Sequence, residues 1–104
     1  MQRLASIDVG SNTIRLLIAE PDVSAPLRPL HLERRITRLG ENFLPDRILQ
    51  PTAMDRSIAA LEEFVELMGK SGVSEYSAAA TAVVREASNG SNFLNLVQRK
   101  TGLD

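Results

Sequence analysis

Hydrophobic and polar positions follow two different repeats along the chain. Near the N-terminus the period is two: Ala5, Ile7 and Val9 alternate with Leu4 and Ser6, and Ile14, Leu16 and Ile18 follow in the same rhythm. Alternation of this kind marks strands. Between the two runs lies Gly10-Ser11-Asn12, a turn signal, because Gly tolerates positive φ and Asn tolerates the left-handed region. The pattern predicts a hairpin of strands at Arg3–Val9 and Thr13–Glu20. Apolar or small residues on both parities of the first strand predict a central strand covered on both faces. Asp8 breaks the pattern at the mouth of the turn, where a carboxylate is poorly solvated without a partner.

Pro21, Pro26 and Pro29 predict an irregular connection over Pro21–Pro29. Leu30, Leu32, Ile36 and Leu39 sit among Glu33, Arg34, Arg35 and Arg38, which predicts a third strand over Leu30–Leu39, nearer the sheet edge. Glu41–Gln50, with Pro45, reads as a loop. The rhythm then changes: Met54, Ile58, Leu61, Val65 and Met68 recur at spacings of four and three, the stripe of an amphipathic helix. Thr52 with Asp55 resembles a capping box at its start, and Gly69 and Gly72 mark its end. The methionines read as core filler. Ser74–Ala80 is assigned as a short strand, partly on the family pattern given below, because its alanine run by itself favours helix. Phe93, Leu94 and Val97 mark one face of a last helix ending near Gly102. The order βββαβα predicts an α/β fold with a mixed sheet, the helix crossing over to set the fourth strand beside the first.

Composition narrows the function classes. A chain of 104 residues supports one domain with a modest core. A net charge of −1 argues against nucleic acid held by bulk electrostatics. Lys70 and Lys100 are the only lysines. Arginine is the better fork for phosphate oxygens, although a GC-rich genome produces the same bias. Cysteine is absent and His31 is the sole histidine, so disulfides, zinc sites and His-based triads are excluded. No apolar run reaches membrane-spanning length, and a strand begins at once, leaving no room for a signal peptide. A cytoplasmic protein with no membrane partner is expected.

The candidate chemistry concentrates at two junctions. At the first, Gly10 permits close approach to the backbone, while successive N–H groups and the Ser11 and Thr13 hydroxyls form a nest suited to phosphate. Arg15 shares the strand face of Thr13 and adds a forked charged contact. Asp8 suits a magnesium ion held partly through water. The same residues also make an ordinary hairpin with a structural Asx-turn. At the second junction, Thr81 ends a strand and Arg85 lies one turn into the next segment, where N–H groups at a helix start attract anions. A surface salt bridge with Glu86 is the alternative for Arg85. Arg38, like the other arginines of the third strand, reads as solvated surface.

The stretch Asp8–Ile18, Asp-Val-Gly-Ser-Asn-Thr-Ile-Arg-Leu-Leu-Ile, resembles the first phosphate loop of the exopolyphosphatase and guanosine pentaphosphate phosphohydrolase family. That family belongs to the actin, sugar-kinase and Hsp70 superfamily. Arg38-Leu39-Gly40-Glu41 resembles the segment after its third strand. Ala80-Thr81, Val84-Arg85, Glu86-Ala87 and Asn89 resemble its second junction. The resemblance covers essentially the whole chain and implies a ribonuclease H-like (actin-like ATPase) half-domain that stops before its fifth strand.

It further implies a hydrolase that releases terminal phosphate from inorganic polyphosphate or guanosine pentaphosphate with Mg2+. Gly10, Ser11, Asn12 and Thr13 would cradle phosphate. Arg15 and Arg85 would neutralise charge, Thr81 and Arg38 would add contacts, and Asp8 would sit at the metal. The general-base Glu of the family is expected beyond Asp104, as is a second Gly-rich loop, so no catalytic residue is assigned. The chain then reads as the N-terminal lobe of a larger phosphatase, inactive alone. The sheet edge left without its fifth strand is expected to pair with a second copy, giving a homodimer. Two other readings remain: an ATP-binding sugar-kinase-like relative, and a non-catalytic polyphosphate- or nucleotide-binding module.

Overall fold

The computed structural model describes residues 2–103. Their elements are β1 (Leu4–Val9), β2 (Thr13–Asp22), β3 (Ala25–Ile36), α1 (Pro51–Lys70), β4 (Glu75–Ala80), α2 (Ala82–Glu86) and α3 (Gly90–Thr101). The four strands form a single mixed sheet in the order β3-β2-β1-β4. β1 pairs antiparallel with β2 and parallel with β4, and β2 pairs antiparallel with β3. The α/β class and the crossover that returns β4 to β1 are as the sequence predicts.

Cross-strand register explains the core. Ile7 faces Leu16, Val9 faces Ile14 and Ala5 faces Ile18, and all six side chains are buried. They pack with Ile58, Leu61 and Phe64 of α1 and with Phe93 and Val97 of α3. The opposite face of the sheet is open: Ser6 and Asp8 are exposed and Leu4 is half-buried. Both helical layers lie on one side, which corrects the expectation of a strand covered on both faces.

Several boundaries differ from the sequence reading, each for a local reason. β2 and β3 run through the proline segment expected to be irregular. Pro21 lies beyond the last β1 pair, Leu4 with Ala19, so only β3 flanks it. Pro29 sits at a register shift opposite Ile18/Ala19 on an edge strand, where a missing N–H is tolerated. The connecting turn is closed by the Asp22 carboxylate, which accepts bonds from the Ser24 N–H (3.1 Å) and hydroxyl (3.2 Å). β3 ends at Ile36, and Leu39 is buried from a loop.

α1 begins at Pro51 with Gln50 as N-cap and no side-chain capping bond. Proline suits the first helical position because its missing N–H would be unpaired there, so Thr52 is helical and its capping box does not form. The helix runs past Gly69, and Gly72, at φ 68°, carries the turn after it. Its most buried large side chain is Phe64, outside the predicted stripe, while Met54 and Val65 are half-buried. The predicted last helix is two, α2 and α3. Gly90 opens α3 against α2 so closely that a Cβ there would meet the Val84 carbonyl oxygen at 2.1 Å. Phe93 and Val97 point inward, but Leu94 is 49% exposed.

Far from the turn, Glu20 is buried between Arg28 and Arg3, the latter at 3.5 Å. The hydrogen bond from Arg28 is the main cause that holds its carboxyl below the usual glutamate range. Arg35 does the same for Glu33. A depressed folded-state pKa stabilises the fold above the unfolded value, and that stability disappears as pH falls through the folded one. The Glu20→Gln variant should therefore be less stable than the unchanged protein at neutral pH. The gap should narrow in melts run towards about pH 3; a gap independent of pH would refute the linkage.

Candidate phosphate-binding site

The C-terminal ends of β1 and β4 and the two ends of the β2–β3 ladder nearest them meet in one region. The Gly10–Thr13 turn is closed by the Gly10 N–H donating to the Thr13 carbonyl at 3.0 Å. Neither Gly10, Ser11 nor Asn12 has positive φ; among the described residues that region is held by Arg38, Asn42, Arg47, Gly72 and Gly102. Gly10 is required here for space instead, since a Cβ would stand 2.8 Å from the Thr13 oxygen.

The segment after β3 docks on this turn. The Asn12 carbonyl accepts from the N–H groups of Thr37 and Arg38, both at 3.1 Å, and the Ser11 carbonyl accepts from Gly40 at 2.8 Å. Because a trans peptide carries its C=O and N–H on opposite sides, pulling the Ser11 carbonyl toward Gly40 turns the Asn12 N–H the other way. The Ser11 and Asn12 N–H groups bond to none of the described residues. Arg38 adopts φ 51° at this contact, and its side chain is exposed. A side chain on Gly40 would meet Ser11 Cβ at 3.2 Å, a tight approach that the sequence alone did not disclose.

The β4 end joins the same region. The Thr81 N–H donates to the Val9 carbonyl at 3.0 Å, and Arg85 Nη1 donates to the Ala80 carbonyl at 2.8 Å. Thr81 is the N-cap of α2, which has only five residues, so the helix adds little dipole and the chemistry there rests on side chains. Arg85 forms no ion pair with Glu86 or any other described carboxylate. The surface-salt-bridge alternative is therefore not what holds it. Asn89 is structural. Its carboxamide accepts from the Leu49 N–H (2.9 Å) and donates to the Leu49 carbonyl (3.0 Å), tying the 41–50 loop to the α2–α3 junction.

On the open face, Asp8 stands directly opposite Arg15. Neither side chain is ion-paired among the described residues, whereas Arg3, Arg28, Arg35 and Arg56 all are. The structure thus brings Asp8, the turn, Arg15, Arg38, Thr81 and Arg85 to one end of the sheet. No cluster of three or more His, Cys, Asp or Glu side chains occurs among the described residues. A lone exposed carboxylate beside a candidate anion site still fits magnesium, which takes one or two carboxylates and completes its shell with phosphate and water. No described helix is long and apolar enough to cross a membrane.

Comparison with known proteins bears on this geometry. The model of the Ppx/GppA phosphatase family matches residues 17–104. The chain belongs to the Ppx/GppA phosphatase family. Exopolyphosphatase 1 of Mycobacterium tuberculosis is 31% identical over 102 residues, which cover 98% of this chain and 30% of that protein. Exopolyphosphatase 2 of the same organism is 36% identical over 98 residues, covering 89% of this chain and 30% of that protein. The Ppx/GppA phosphatase of Aquifex aeolicus superposes with a TM-score of 0.94 at 35% identity, over 99% of this chain and 34% of that one. The chain therefore has the sheet-and-helix architecture of the actin-like Ppx/GppA proteins. It spans about a third of the length of the relatives it matches. The family match starts after the Gly10–Thr13 turn, but the pairwise likenesses include nearly the whole chain.

Proposed function

We propose that this chain is the phosphate-gripping N-terminal lobe of a cytoplasmic phosphoanhydride hydrolase that removes terminal phosphate from inorganic polyphosphate or guanosine pentaphosphate. One observation carries the reading: the unbonded amides of the Gly10–Thr13 turn share one end of the sheet with Arg15, Arg38 and Arg85, none of which is ion-paired among the described residues. Free donors kept in one volume suit an anion. In phosphoryl transfer, positioning and charge stabilisation supply most of the catalysis. The turn amides and the Ser11 and Thr13 hydroxyls would hold the terminal phosphate, with Thr81 and Arg38 at its margin. Arg15 and Arg85 would offset its charge. Asp8 would hold Mg2+, which neutralises phosphate oxygens when bound.

Water activation needs a base, and several of the described glutamates are already held in ion pairs. Glu41 is paired with Arg56 (2.9 Å), Glu63 with Arg35 (3.1 Å) and Glu66 with Lys70 (3.1 Å). By the family resemblance the base is assigned to a Glu of the larger protein outside this lobe, and the chain by itself should bind phosphate or polyphosphate weakly without hydrolysing it. A phosphate-release assay of the 104-residue chain with polyphosphate and Mg2+, paired with calorimetric titration, tests this. Binding without release is expected, and magnesium-dependent release would overturn the lobe assignment. The β4 edge, with an apolar groove of about 260 Å³ between it and α3 lined by Ala78, Ala80, Leu94 and Leu103, is proposed to pair with a second copy in a homodimer. Sedimentation of the same sample as a clean monomer at high concentration would dismiss that assembly.

A further inference from the structure

Strand register carries the anion site one residue further than the sequence motifs reach. Asp8 pairs with Arg15 across β1 and β2, and Arg15 pairs with Arg34 across β2 and β3. The three side chains therefore form one row on the open face of the sheet. Directly opposed side chains on one face have Cβ atoms only about 5 Å apart, and like charges so placed repel. Arg15 and Arg34 are both exposed, and neither is ion-paired among the described residues. The next residue on β3 behaves differently: Arg35 lies on the helix-facing side, held by Glu33 (3.0 Å) and Glu63 (3.1 Å).

The row has a direction. Thr13 of the turn is one pleat forward of Arg15, and Leu17 opposite Leu32 is one pleat behind. An anion chain seated at the turn and continuing straight back along β2 past Arg15 would meet Leu17 and Leu32. A chain that steps one pleat back from Thr13 to Arg15 and then crosses to β3 meets Arg34, whereas a direct crossing from Thr13 meets the exposed Ile36. Two guanidiniums opposed on one face are relieved of their mutual repulsion when phosphate oxygens bridge them.

We propose that Arg34 and Arg15 form a track for phosphate units beyond the one held at the Gly10–Thr13 turn, so that this chain discriminates long polyphosphate from short anions. The track rests on the phosphate reading of the turn. Its test is calorimetric titration with inorganic phosphate and with long-chain inorganic polyphosphate of three proteins: unchanged, Arg34→Gln, and Arg99→Gln. The last removes the same charge from α3, away from the row. Arg34→Gln should weaken polyphosphate binding about tenfold and leave phosphate binding unaltered; Arg99→Gln should change either by no more than about twofold. Equal losses in the two variants, or an equal loss of phosphate and polyphosphate in Arg34→Gln, would overturn the track while the turn reading stands. Failure of the unchanged protein to bind either anion would remove the turn reading and the track together.

Discussion

Replacing Arg85 with alanine should weaken phosphate or polyphosphate binding by about 1.5–3 kcal/mol, the range for a hydrogen bond to a charged group. The guanidinium is anchored through Nη1 to the Ala80 carbonyl at 2.8 Å, at the strand end whose neighbour Thr81 is bonded to Val9. That anchor leaves the rest of the planar fork available to an anion. Little ordering entropy remains to be lost when the ligand arrives, because the side chain is already held. Arg85→Lys keeps the charge but loses the planar fork and its anchor, so it should restore only part of the affinity. Titration of the three proteins measures the effect. An Arg85→Ala protein with unchanged affinity would make Arg85 a surface residue and move the charge neutralisation to Arg15 and Arg38.

The Phe64→Ala variant should lose about 3–5 kcal/mol of folding stability. Phe64 is fully buried, in the cluster that joins α1 to Ile14, Leu16 and Ile18 of β2. The Arg35 guanidinium sits 5.7 Å from its ring centroid, adding a cation–π contact from β3. A domain of this size has a net stability of only about 5–15 kcal/mol, so the cavity should bring unfolding close to ambient conditions. Denaturant titration reads the change directly. A loss below about 1 kcal/mol would mean that the helices collapse into the space, contrary to a core pinned by the sheet. Anion affinity of the fraction that remains folded should be unaltered, since Phe64 lies away from the turn and its arginines.

Much of the architecture was legible in the sequence because it is written in local periods. Alternation at Ala5, Ile7 and Val9 and at Ile14, Leu16 and Ile18 specified two strands. The recurrence of Ile58, Leu61 and Met68 specified α1, and Gly10-Ser11-Asn12 marked the turn that the remaining elements surround. These signals depend on residues a few positions apart, whose geometry is set by the element itself. Family likeness then pointed to Asp8, Arg15, Thr81 and Arg85 as a group.

The features outside that reach depend on distant partners. Ala78–Ala80 is strand, against its helix propensity, because β1 supplies a parallel neighbour from Ile7 to Val9. β3 extends to Ala25 through prolines because it is an edge strand alongside β2. Gly10 looked like a residue chosen for positive φ and is instead one chosen for want of a Cβ, which only the position of the Thr13 carbonyl reveals. Gly40 and Gly90 owe their identity to close contact with Ser11 and Val84. The sequence by itself determined β1, β2, α1 and the turn between the first two strands. Tertiary structure alone decided the open face, the docking of Thr37–Gly40 on the turn, and the alignment of Asp8, Arg15 and Arg34. The reason is physical: periodicity records which face of one element is apolar, whereas register and hydrogen bonds between segments are settled only when those faces pack together.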